Sequence, residues 1–80
     1  MKYTINVTEE HIKRAGKIVY GDPLILAMRD AGLKKASVGF RTFTIDDYNI
    51  HNLPESAVKF IDDFVFKRPI SPFTFEIEIP

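Results

Sequence analysis

Eighty residues with equal numbers of acidic and basic side chains and no cysteine bound the answer. A chain of this size supports one hydrophobic core, so residues 1–80 read as a single domain. The lack of cysteine excludes a disulfide scaffold, thiolate metal sites and cysteine nucleophiles, and fits a reducing cytosol.

The elements follow from pattern. In "KYTINV", Tyr3, Ile5 and Val7 alternate with Lys2, Thr4 and Asn6, the period of a half-buried strand. Thr8 then caps a helix whose first turn carries Glu9 and Glu10, with Ile12 and Ala15 inward and Gly16 as its stop. "KIVY" is an apolar connector. In "YGDPLILAMRDAG" Asp22 stands at the N-cap, Pro23 at the first helical position and Gly32 at the left-handed C-terminal position. The run from Leu24 to Met28 leaves little polar face, as in a central core helix.

In "ASVGFRTFTID" Val38 and Phe40 share one parity and Phe43 and Ile45 the other, so this strand must bend, bulge or turn near Arg41 and Thr42. Asp46 and Asp47 make a turn before a short strand, "YNI". Asn52 and Glu55 have the spacing of a capping box. Ala57, Phe60, Ile61, Phe64 and Val65 then recur at i, i+3, i+4, i+7 and i+8, an amphipathic helix ended by Pro69 and Pro72. "PFTFEIEI" alternates as a last strand. The order β-α-α-β-β-α-β predicts an α+β domain, its helices packed on one face of a mostly antiparallel sheet.

No motif here carries chemistry. His11 and His51 lack the i, i+4 pairing of helix-borne metal ligands, and Asp46 and Asp47 near His51 read as turn carboxylates before they read as a cation site. Ser37, Ser56 and Ser71 stand in no nucleophile elbow. We therefore expect no enzyme activity, no catalytic residues, no metal and no cofactor. His11 reads as a half-buried packing residue. "GDP" before a helix is a site type for phosphate, but Asp22 already supplies the anion. The longest apolar run, "LILAM", is far short of a membrane span, so no membrane association is expected.

Binding is the reading that remains. Through Arg41 the chain carries eight Lys and Arg against four Asp and Glu, and from Thr42 onward three against seven. Such polarity can orient self-association, so a homo-oligomer is among the expected states. "VGFRTFTI" is similar to the aromatic strand of RNA-recognition folds, but Phe40 and Phe43 differ in parity and point to opposite faces. His11, Arg14, Lys17 and the loop at Tyr20 form a candidate contact surface for nucleic acid or a nucleotide. Phe66 falls on the polar side of the third helix: either the helix ends before it, or it faces a partner.

"HIKRAG", "PLILAMRDAG", "LPESAVKFIDDF" and "RPISPFTFEIEI" together resemble a family of small uncharacterised proteins found mainly in phages and prophages. Its pattern runs His-Ile-x-x-Gly, Pro-Val-Ala-Leu-Ala, Leu-Pro with Phe-Ile-x-x-Phe, and Pro-Val-x-Pro-Phe. Relatives carry Cys just before the helix-opening Pro, where this chain has Gly21 and Asp22, so a thiol or metal role does not carry over. They also carry a small residue and Gly where this chain has Phe66 and Lys67. The resemblance implies an accessory protein of the host bacterial cytosol. Such a protein would bind and inhibit a bacterial host or defence protein, as an anti-CRISPR-like counter-defence factor does, or act as a sponge for a signalling nucleotide.

Overall fold

The computed structural model describes residues 1–15, 22–46 and 49–79. Its elements are β1 (Lys2–Val7), α1 (Glu9–Ala15), α2 (Pro23–Asp30), β2 (Ser37–Val38), β3 (Thr42–Thr44), β4 (Ile50–Asn52), α3 (Glu55–Val65) and β5 (Phe73–Glu78). The α+β class and the approximate element order agree with the sequence pattern. The expected single sheet is instead two antiparallel sheets, β1-β5 and β2-β3-β4. Between them, β4 and β5 border a common cleft of about 450 Å³ rather than a shared ladder.

The first and last strands pair along their whole length, Ile5 opposite Phe75 and Tyr3 opposite Ile77. Period-two alternation on both strands puts Ile5, Val7, Phe75 and Ile77 inside. The outward residues pair too: Lys2 meets Glu76 at 3.3 Å and the Thr74 hydroxyl donates to Asn6 Oδ1 at 2.9 Å.

The parity break in "ASVGFRTFTID" is a hairpin. Val38 pairs with Phe43, the Gly39 N–H donates to the Thr42 carbonyl at 2.8 Å, and Phe40 and Arg41 are left at the tip. One expected strand thus becomes two, β2 and β3. This keeps Phe43 in the core at 2% exposed and turns Phe40 out at 63%. β4 closes the sheet, with His51 opposite Phe43 and their rings stacked 5.2 Å apart.

The capping box expected at Asn52 does not form. Asn52 is held in the ladder opposite Thr42, and Pro54 occupies the N-cap of α3 without a side-chain bond. Pro54 supplies the extended cap conformation (φ −60°, ψ 154°) by ring geometry instead. α3 seats Ala57, Phe60 and Ile61 in the core, and Phe60 stacks on Phe73 of β5 at 4.8 Å.

α2 is built as its sequence reads. Asp22 Oδ1 accepts the Ile25 N–H at 3.0 Å, and Leu24, Ala27 and Met28 are buried. At its end Gly32 takes φ +103°, so the Gly32 N–H reaches the Arg29 carbonyl and the Leu33 N–H that of Met28, both at 3.0 Å. These two bonds define a Schellman stop, and Met28 and Leu33, which it brings together, both belong to the core.

Candidate functional site

Two clusters stand out from the packing. The first lies at the start of α1. The His11 N–H donates to Thr8 Oγ1 at 3.3 Å, while the Thr8 N–H donates back to His11 Nδ1 at 3.0 Å. This is a reciprocal cap in which an imidazole takes the place usually filled by Glu or Gln. Because Nδ1 accepts, the ring proton sits on Nε2, which meets Asp30 Oδ2 at 2.6 Å. Arg14 approaches the same carboxylate oxygen at 3.7 Å. The imidazole thus ties α1 to the last residue of α2.

Thr8 Oγ1 also lies 3.1 Å from Nδ1, so hydroxyl, imidazole and carboxylate stand in the order of a nucleophile, a base and its orienting group. Two features oppose that chemistry. The Thr8 N–H already uses the single Nδ1 lone pair, and His11 is only 6% exposed. The cluster's hydrogen bonds are spent on starting one helix and docking it on another.

The second cluster is at the C-terminal end of α3. The helix ends at Val65, with Phe66 as its C-cap. Lys67 follows in the left-handed region at φ +58°, its N–H reaching the Phe64 carbonyl at 3.2 Å and that of Arg68 reaching Asp63 at 2.7 Å. The motif is the one that ends α2, with two differences. A lysine stands where α2 has glycine, and an ion pair, Arg68 Nε to Asp63 Oδ1 at 2.9 Å, replaces the Met28–Leu33 clasp. The Arg68 guanidinium lies 5.2 Å from the centre of the Phe66 ring, within cation–π range. Of the alternatives posed for Phe66, the helix does stop before it, and the residue is 68% exposed.

Val65, also exposed, lines a depression with Val38, Gly39, Phe40 and Ile61, so the hairpin tip and the end of α3 form its two walls. Asp22 also lines it, and burial raises its pKa above the ordinary 3.8 against the lowering by the Ile25 and Leu24 N–H groups. A second depression of about 570 Å³ borders the same tip and helix, lined among others by Arg41, Leu53, Glu55, Val58, Lys59 and Asp62. Since Phe40 and Arg41 are consecutive and Val58, Ile61, Asp62 and Val65 are successive positions on α3, the two depressions follow one side of the helix.

Of the residues singled out by sequence, Arg14 and His11 meet on Asp30, with His11 inside rather than on a contact surface. Lys17 and Tyr20 lie outside the described residues, as do Gly16, Gly21, Asp47 and Tyr48. Phe66 belongs to the other cluster. Phe40, Val65, Arg41 and Asp62 complete that surface and were not singled out for it. Asp46 accepts the Asn49 N–H at 2.8 Å, a turn contact, and among the described residues no three His, Asp or Glu converge as metal ligands. No described helix is long and apolar enough to cross a membrane.

Fold and surface together define a small α+β domain with two neighbouring depressions beside α3, one of them bordered by exposed Phe40. No protein-family model, curated protein or solved structure matches the chain.

Proposed function

We propose that this chain is a non-catalytic docking protein that acts by covering a surface of a protein partner. The observation that carries this reading is the pair of exposed apolar side chains, Phe40 and Val65, on the two sides of one depression, with exposed Phe66 following Val65 at the end of the same helix. Contiguous exposed apolar surface bordered by charge is what interaction sites present, whereas scattered apolar residues are not. Aromatic side chains bring large contact area at low entropic cost, and the Arg68 guanidinium over Phe66 holds that ring in place before binding. The resemblance to phage and prophage proteins makes a bacterial host or defence protein the partner to test first, with inhibition by occupancy as the mechanism.

The test is affinity capture from nuclease-treated bacterial lysate with the wild-type chain and a Phe40→Ser/Phe66→Ser variant shown to be folded by circular dichroism. Wild type retains a stoichiometric protein and the variant loses it. Equal recovery by both, or recovery that vanishes with nuclease, refutes the reading.

A further inference from the structure

The groove along α3 carries its own complement. Its hairpin wall presents Phe40 and Arg41, and its helix wall presents Asp62, Val65 and, just beyond, Phe66. Arg41 and Asp62 line the same depression, yet neither makes an ion pair within 4 Å among the described residues. Each is a charge at the edge of an apolar surface with its counterpart displaced to the opposite wall.

We propose that this face pairs with a second copy of the chain about a two-fold axis running along the groove. A two-fold axis brings residues from opposite sides of itself into contact, so each wall meets the other wall of the second copy. Phe40 then packs on the second copy's Val65, and Arg41 meets the second copy's Asp62. Charge selects this occupant over a partner of one sign. In the larger depression Lys59 is already paired with Asp63 at 3.4 Å, which leaves Arg41 on the hairpin wall against Glu55 and Asp62 on the helix wall, so a purely acidic or purely basic segment would meet like charge on one wall. The zero net charge of the whole chain adds no repulsion between copies. The inference rests on the reading of this face as a docking surface and adds regulation to it: a partner must displace the second copy.

Sedimentation of the purified full chain across the micromolar range tests this without any other protein. A reversible monomer–dimer equilibrium is expected. Arg41→Glu and Asp62→Arg each weaken it by roughly tenfold or more, because like charges then face each other. The double variant Arg41→Glu/Asp62→Arg restores it, which loss of folding in a single variant cannot imitate. A monomer at every concentration overturns the proposal. So does a dimer indifferent to both substitutions, or a double variant no tighter than the singles. A monomer that still captures a partner through Phe40 and Phe66 sinks the self-pairing alone, whereas an intact dimer with unchanged capture by the Phe40→Ser/Phe66→Ser variant sinks the docking function alone.

Discussion

Replacing Lys67 with glycine stabilises this protein. The residue sits at φ +58°, one of two left-handed positions among the described residues, and the other is Gly32. An L-residue in that region costs roughly 1–2 kcal/mol because its Cβ crowds the carbonyl oxygen. Glycine removes that cost but adds freedom to the unfolded chain, an offset of about 0.4–1 kcal/mol. The net gain for Lys67→Gly is therefore about 0.5–1 kcal/mol, which in a domain of this length raises the melting temperature by a few degrees, roughly 2–8 °C. Nothing else is given up, since the Lys67 side chain is exposed and takes part in none of the described ion pairs. Urea and thermal unfolding followed by circular dichroism read the change directly. Gly32→Ala is the mirror control: apart from its chain neighbours no atom lies within 4 Å of an added Cβ, so its net loss of about 0.5–1 kcal/mol is backbone strain less the same unfolded-state offset. A Lys67→Gly protein no more stable than wild type refutes the left-handed stop, and with it the placement of Phe66 and Arg68.

Three further outcomes follow from the same contacts. Asp22→Ala loses the Ile25 cap and about 0.5–2 kcal/mol, whereas Asp22→Asn keeps an acceptor oxygen and sheds the burial penalty on the charge. Because the folded-state pKa of Asp22 is raised, the folded protein holds its proton to higher pH than the unfolded chain, so this group's contribution to stability falls as pH rises from 3.8 through the folded value. Urea melts at pH 3 and pH 7 should show Asp22→Asn gaining on wild type at the higher pH. His11→Ala leaves the Thr8 N–H and Asp30 without their shared ring and costs about 2–3 kcal/mol, and long-range nitrogen–proton NMR of wild type should show the proton on Nε2. Phe60→Ala removes a core ring and its stack on Phe73, for a loss of about 3–5 kcal/mol in the urea midpoint series.

Much of this architecture is written locally. The outer strands, the Asp22 cap, the Gly32 stop and the inward face of α3 each rest on spacings within a few residues, and each formed, except that Val65, the last residue of the expected α3 stripe, is exposed where the helix runs past the core. What sequence periodicity misread was pairing. The parity break between Phe40 and Phe43 shows that the strand turns, but a hairpin with Phe40 and Arg41 at its tip and one bulged strand give the same pattern. Whether β4 would join β5 into one sheet depends on the relative placement of segments more than 20 residues apart, which no local pattern encodes. The Asn52–Glu55 spacing satisfied a capping rule while the backbone of Asn52 was committed to β4, and tertiary pairing prevailed over the local preference.

The candidate surface was half legible for a related reason. Phe66 announces itself because it violates the helical wheel, and a violation is visible in one dimension. Phe40 violates nothing on its own, since it merely follows Gly39 in a segment that must turn. Only the fold sets the hairpin tip beside the end of α3, and only then do Phe40 and Val65 line one depression with Arg41 and Asp62 lining the next. His11 is legible the other way: its place on the flank of an apolar stripe reads as packing before it reads as contact surface, and its buried ring bridges Thr8 and Asp30 at the protein surface. A polar residue on the flank of an apolar stripe goes inward when both ring nitrogens find partners there, because satisfied hydrogen bonds remove the cost of burying it. The Asp30 that satisfies Nε2 lies 19 residues along the chain, so the sequence around His11 alone could show only half of that bargain.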